Sequence, residues 1–386
     1  QMAKNRISAV FLTALFLILC GLWPVSACLL QGGTPEDTGE NRTLAAYPEL
    51  KNLRDLERFP AGFEAWLNDH MPAKTALVGS QSALELGLFG EMAQDKVVFG
   101  TSRPWLFNRS EDGQPLETYK RTNLFSEEEL DRISQNLSEM QQDFSDAGIR
   151  MVLMISPDKE QIYGDDYMPS SVAVLENEGR TEQLIGALGK TCPSLPVVYP
   201  AELLRKGREK EEVYYASDTH WNRIGACIAC GALVDTLAED TGSTWPGAEA
   251  FRERYHFSEK EKKAGDLQKL VRLGEEFDST EYEAQEARTA EVSDVSEDVR
   301  GEVIRERSSN PGGLPLNVYL SGDSFRWNLT RFLQDGVNKS TVTSRYYLDL
   351  EDVVAQEPDV FVYMIAERYL HELDRIPGYN TQALTY

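Results

Sequence analysis

The sequence predicts an α/β protein: a parallel β-sheet with helices on both faces, preceded by an N-terminal anchor and a helical segment. Three observations carry this. Short, nearly all-apolar runs recur along the chain, helical runs separate many of them, and a long uncharged stretch lies close to the N-terminus.

That stretch is Ala9–Leu30, 22 residues without a charge, preceded by Lys4 and Arg6 and followed by the polar Gln31–Arg42. It is long enough to cross a bilayer once. Basic residues before it and acidic ones after it put the short N-terminal end in the cytoplasm and the rest outside. Val25-Ser26-Ala27-Cys28 also fits a lipoprotein processing box, so residues 1–31 are read as either a membrane anchor or a processed signal sequence, with Cys28 the lipidated residue in the second case.

Residues 32–100 read as a spacer and a helical segment. Gln31–Asn41 is rich in Gly, Pro, Glu and Thr, while Phe63–Leu67 and Ser82–Met92 place apolar residues at helical spacing. Residues 101–386 form the main domain. Its strand-like runs are Arg150–Ser156, Leu195–Tyr199, Leu316–Ser321, Ser340–Leu348 and Asp359–Ala366. Between them lie helical runs at Ser126–Ala147, Arg180–Leu188, Trp221–Ala238 and Arg326–Gln334, the first opened by a capping box of Ser126 and Glu129. Residues 277–309 hold many Glu and few large apolar side chains, which predicts an exposed, mobile excursion.

Charge narrows the function. With 63 acidic against 39 basic residues the formal net charge is -24, which argues against nucleic acid and makes a strongly anionic polymer a less natural substrate. Cys227-x-x-Cys230 sits within an apolar helical run, without the second Cys pair or nearby His that a zinc site requires, so no metal is assigned and the thiols read as buried and inert. Nor is there a dinucleotide or Walker-type glycine loop, and no cofactor is expected.

Two short constellations can carry chemistry. Ser321-Gly322-Asp323-Ser324-Phe325 follows a strand and precedes a helix, which presents Ser324 at the sheet edge with its N–H near a helix N-terminus. Asp and Ser are also ordinary helix caps, so this motif alone does not decide. Ser217-Asp218-Thr219-His220-Trp221-Asn222 opens the next candidate. Of the four histidines, His70, His220, His256 and His371, only His220 combines a nearby carboxylate with a strand-to-helix-like junction. Asp218 would orient its ring, the part played by the acid of a triad, unless it merely caps the helix.

At these residues the chain resembles the DHHW and alginate O-acetyltransferase group of SGNH-hydrolase-like proteins. Asp218-Thr219-His220-Trp221 matches the Asp-x-His-Trp motif, and Gly322-Asp323-Ser324 the later nucleophile motif. Looser likenesses follow in the same order: Glu40–Arg42 with Pro48, Phe63–Asp69, Trp105–Phe107, Pro157–Lys159 through Tyr163, Gly265–Leu267, and Pro358–Asp359 through Glu367. The resemblance implies an SGNH-like domain in which His220 takes the Ser324 proton, an acyl-serine forms, and a polysaccharide hydroxyl collects the acetyl group. It also implies a membrane-bound O-acyltransferase partner that delivers acetyl. Water in place of the sugar would make the chain an esterase, and loss of the chemistry would leave a carbohydrate-binding surface protein. Lys159, Tyr163, Arg326, Arg345, Tyr346 and Glu367 are the further candidates for the cleft. The separate Gly and Asn that SGNH esterases add to the oxyanion hole have no clear counterpart in this sequence.

Overall fold

The computed structural model describes residues 45–48, 55–70, 96–239, 245–297, 301 and 303–376. The expected anchor, the Cys28 box and the helix over Ser82–Met92 lie outside the described residues. No helix among those described is long and apolar enough to cross a membrane. The chain divides into two units. In the N-terminal one, helix α1 (Asp55–His70) gathers Phe59, Phe63 and Trp66 around Tyr47, with the Tyr47 and Trp66 rings 5.0 Å apart and edge to face.

The main unit is built on a seven-stranded sheet of β1 (Arg150–Ser156), β2 (Val197–Val198), β3 (Glu291–Glu297), β4 (Val303–Ser309), β5 (Leu314–Gly322), β6 (Val337–Ser344) and β7 (Val360–Ala366). The strand order is β2-β1-β7-β5-β6-β4-β3. The five strands from β2 to β6 run parallel, and β4 and β3 add an antiparallel edge.

Period-2 alternation sorts the core into two faces. Val152 and Met154 of β1 and Val362 and Met364 of β7 pack with α5 (Arg223–Ala238) and α6 (Arg326–Gly336). Met151, Leu153 and Ile155, with Phe361, Tyr363 and Ile365, pack with α2 (Glu127–Asp146) and α4 (Arg180–Thr191), between which the chain forms the short α3 (Lys159–Tyr167). The predicted α/β sheet with both faces covered is therefore present, and all seven residues of β7 are buried. The Ser126 capping box also forms: Ser126 Oγ accepts the Glu129 N–H at 3.2 Å, and Glu129 accepts the Ser126 N–H at 2.8 Å.

Three expectations change. Residues 277–309 are not a loose excursion. Ser279–Ala284 pairs with Phe257–Lys263 as a two-stranded sheet, while β3 and β4 extend the main one. An edge strand does not need large apolar residues on both faces, and here ion pairs such as Arg307–Asp294 at 2.9 Å and Arg305–Asp352 at 2.8 Å tie down charged side chains. The run expected over Ser340–Leu348 starts earlier and stops at Ser344, where a 3-10 turn, Arg345–Tyr347, takes over. Finally, helix α5 begins at Arg223, and Asn222 is its cap, with Oδ1 accepting the N–H groups of Ile224 and Gly225 at 2.9 and 3.0 Å. Asp218 is thereby released from the capping role.

Candidate active site

β5 ends at Gly322, in register with Ser344 of β6 and Met364 of β7. A Cβ on Gly322 would meet Leu320 and Met364 side-chain atoms at 3.2 Å, so glycine suits the crowded exit from the strand. The buried Asp323 then pins the turn: its Oδ1 accepts the Phe325 N–H at 3.1 Å and its Oδ2 the Ala366 N–H at 2.5 Å. Ser324 is left half-buried just before α6, its hydroxyl at the carboxyl edge of the parallel strands.

The second loop is a tight return in which Tyr214 bridges Trp221, the Tyr215 N–H reaches the His220 carbonyl at 3.2 Å, and the Asn222 N–H reaches that of Val213 at 3.1 Å. Two bonds tie it to the first loop. Trp221 Nε1 donates to the Phe325 carbonyl at 3.0 Å, and Asn328 Nδ2 to the Trp221 carbonyl at 2.9 Å.

Across this seam Ser324 Oγ lies 2.7 Å from His220 Nε2, while His220 Nδ1 lies 2.7 Å from Asp218 Oδ1. An ionised carboxylate only accepts, so Nδ1 carries the ring proton and Nε2 is free to accept from the serine hydroxyl. Asp218 also accepts the His220 N–H at 3.0 Å and the Asp266 N–H at 2.9 Å. Burial opposes its charge, yet the hydrogen bond and charge of His220, with these two amides, hold its carboxyl well below the usual range. For His220 burial likewise opposes the imidazolium, but the bond and charge of Asp218, and then the charge of Asp266, leave its pKa above the ordinary value.

Asp266 is the member of the site that sequence reasoning missed. Its Oδ1 accepts the Thr219 N–H at 2.8 Å, its Oδ2 the Thr219 hydroxyl at 2.6 Å, and Oδ2 stands 3.7 Å from His220 Nδ1. A Cβ on the preceding Gly265 would fall 2.1 Å from the Ser217 carbonyl oxygen, so this segment packs directly on the base loop. Gly265–Leu267 was legible only as a family likeness; the pairing with Thr219 needs the fold. Asp218, His220 and Asp266 are close enough together to present ligands to a metal ion. Their oxygens and Nδ1 are nonetheless engaged with one another and with Thr219, an arrangement that stands without a cation.

Most of the other cleft candidates are placed behind the site. Lys159 is fully buried, and its ammonium donates to the carbonyls of Tyr215, Ala216 and Asp218 at 3.2, 2.8 and 2.6 Å. Burial lowers its pKa to about 8. Tyr163 is buried against Trp105, with ring centroids 4.2 Å apart, and its hydroxyl accepts the Val213 N–H at 3.0 Å. Arg326 is buried and donates to the carbonyls of Asp323 and Val303 at 3.1 and 2.6 Å. Arg345, also buried, pairs with Glu372 and donates to the Tyr346 hydroxyl at 3.1 Å. Glu367 is buried and accepts from the Asp158 N–H, Thr181 and Tyr199 at 3.0, 2.6 and 2.9 Å. Motif position told nothing of this, because a long polar side chain after a strand can turn inward once carbonyls or an acid wait there. Only Tyr346 is exposed, at 52%. Of the rival histidines, His256 is exposed and bound to Glu286 at 2.7 Å, and His371 lies on the surface. Cys227 and Cys230 are buried on α5, where burial pushes both thiols up.

A mixed sheet covered on both faces, with a serine at the carboxyl edge of one strand and an imidazole–carboxylate pair reaching it from a second loop, defines an SGNH-hydrolase-like protein. Residues 97–343 match the family model described as SGNH hydrolase-like domain, acetyltransferase AlgX, and the chain belongs to that family. It is similar to two proteins named probable alginate O-acetylase AlgJ. The one from Azotobacter vinelandii is 24% identical over 177 residues, and the chain spans only 42% of its length from 45% of its own. The one from Pseudomonas fluorescens is 22% identical over 328 residues, covering 81% of this chain and 78% of that one. Among solved structures, Bacillus cereus PatB1 superposes with a TM-score of 0.54 at 12% identity, covering 73% of this chain and 100% of that one. A DHHW family protein from Eubacterium siraeum superposes with a TM-score of 0.51 at 12% identity, covering 72% and 98%. At these identities the structural likeness is one of fold.

Proposed function

We propose that the chain is an O-acetyltransferase that moves acetyl groups onto a polysaccharide outside the cytoplasm through an acyl-serine at Ser324. The observation that carries this reading is the unbroken line from Asp218 through His220 to Ser324, with both contacts at 2.7 Å. Membership of an acetyltransferase family and relatives named for alginate O-acetylation support the acyl group and a polysaccharide as acceptor.

The residues divide the work as follows. His220 Nε2 takes the Ser324 proton as Oγ attacks the carbonyl of an acetyl donor, and Asp218 stabilises the imidazolium that results. The Ser324 N–H meets no protein acceptor among the described residues, so it is available to the oxyanion. Collapse of the tetrahedral intermediate expels the donor's leaving group, which takes the proton back from His220. A sugar hydroxyl then gives its proton to Nε2, attacks the acyl-serine and leaves acetylated, while Ser324 recovers the proton. The uncharged N-terminal run would hold the domain at the outer face of the membrane, where the partner implied by the family, a membrane-bound O-acyltransferase, would supply acetyl.

The test is to incubate the protein with an activated acetyl ester and glycan oligomers and to weigh the glycans. Acetylated glycan that disappears with Ser324→Ala supports transfer; acetate alone, with no gain in glycan mass, makes the chain an esterase.

A further inference from the structure

We infer that the acceptor is a neutral glycan, one of whose pyranose rings stacks on Trp327; this rests on the acetyl-transfer reading above. Trp327 is in the first turn of α6, three residues after Ser324, and its N–H donates to the Ser324 carbonyl at 3.2 Å. Its ring centroid lies 5.8 Å from that of His220, inclined by 35°. Trp327 is 54% exposed, whereas Trp66, Trp105 and Trp221 are at most 4% exposed and Trp245 is half-buried. An exposed indole is unremarkable by itself; its position beside the base is what matters. A flat aromatic face offers apolar contact and a negative quadrupole to the C–H groups on one side of a pyranose, and an indole here would hold that ring within reach of Nε2.

The same edge carries a second aromatic surface. β6 ends at Ser344, in register with Gly322, and the turn after it exposes Tyr346 and Tyr347 at 52% and 51%. Neighbouring strands lie about 4.8 Å apart, so a chain of sugars, more than a single residue, fits the spread of rings.

Charge selects the sugar. The cations beside the two loops are engaged: buried Lys159 by three carbonyls, buried Arg326 by two, buried Arg345 by Glu372, buried Arg368 by Asp158, and the half-buried Arg223 by Glu281 at 3.4 Å. The charge that does face outward is acidic, since the Asp266 side chain is 43% exposed beside His220, on a chain of net charge -24. A uronate carboxylate would meet repulsion there without a compensating cation, while a neutral ring pays no such penalty.

Binding can be measured apart from chemistry. The Ser324→Ala protein, unable to form an acyl-enzyme, is titrated by calorimetry and tryptophan fluorescence with hexamers of β-1,4-glucose, mannose and N-acetylglucosamine, and with hexamannuronate. At least one neutral hexamer should bind, adding Trp327→Ala should weaken it at least tenfold, and Trp327→Tyr should restore most of the loss. Hexamannuronate should bind at least tenfold more weakly, and more weakly still as salt is lowered. In the otherwise intact enzyme Trp327→Ala should raise the glycan KM at least tenfold. Tighter binding of the uronate, no binding of any neutral hexamer, or no effect of Trp327→Ala would overturn the inference. A protein that binds a neutral hexamer through Trp327 yet transfers no acetyl would sink the catalytic reading and leave Trp327 as a glycan-binding subsite without an acceptor role.

Discussion

The ammonium of Lys159 lies 2.6 Å from the carbonyl oxygen of Asp218, behind the loop that carries the base. It also donates to the carbonyls of Tyr215 and Ala216, so one buried cation reaches three acceptors of this tight segment. Replacing it with the similarly shaped Lys159→Met would leave the Tyr215 and Asp218 carbonyls unpaired, while that of Ala216 keeps the Leu106 N–H at 2.9 Å, at about 1–3 kcal/mol for each unsatisfied group before relaxation. A loss of about 3 kcal/mol in urea unfolding is expected, together with a fall in turnover. A variant as stable and as active as the parent would show that the loop needs no such support.

Trp221 fixes the distance between base and nucleophile through its bond to the Phe325 carbonyl at 3.0 Å. Trp221→Phe keeps most of the ring and removes the donor. It should cost about 1 kcal/mol of stability and, if the loops part by even 1 Å, up to about a hundredfold in the rate of acyl-enzyme formation. Stopped-flow release of the leaving group from an activated ester measures this, and an unchanged rate would mean that other contacts set the separation.

The pH profile should report His220. The base must be neutral to accept a proton, and two carboxylates favour its charged form, so kcat/KM should rise with pH through an apparent pKa above the ordinary imidazole value of about 6.5. Asp266→Asn removes one of the two negative charges and leaves the backbone N–H that Asp218 accepts. The acid limb should therefore move to lower pH, with the Asp218 contact retained. A purely structural role for Asp266 would lower activity without moving that limb.

Glu367 gives a second pH-dependent outcome, this time in stability. Burial, and then the charge of Asp158, raises its pKa to about 8. The folded carboxyl thus keeps its proton to about pH 8, whereas the unfolded one releases it near the ordinary value of about 4.3. Between those limits the folded state binds the extra proton, so this group's contribution makes stability fall as pH rises. Glu367→Gln should flatten the slope of Tm against pH from about 5 to 8, and parallel curves for the two proteins would contradict the assignment.

Much of the scaffold was legible because its signals are local. The Ser126 capping box, the all-apolar β7 and the strand that ends at Gly322 each follow from residue type and spacing. The Asp218, His220 and Ser324 set was legible because two loops of unusual composition lay at strand-to-helix junctions and only His220 combined such a junction with a nearby carboxylate. What stayed hidden depends on contacts distant in sequence. Asp266 meets Thr219 and His220 only after 46 or more residues have folded back, and Lys159 looked like a cleft residue until three carbonyls were seen to surround it. The charged strands β3 and β4 failed the test of hydrophobicity because an edge needs cross-strand partners more than it needs burial.

The central claim is that Ser324 carries the acyl group. Mixing the protein with a p-nitrophenyl acetate excess, quenching in acid within the burst and mapping peptides by mass spectrometry tests it directly. One acetyl group on the peptide containing Ser324, absent from Ser324→Ala and strongly reduced in His220→Ala, is the expected result. Acetylation that survives Ser324→Ala at an unchanged rate, or that maps to another residue, would contradict the account.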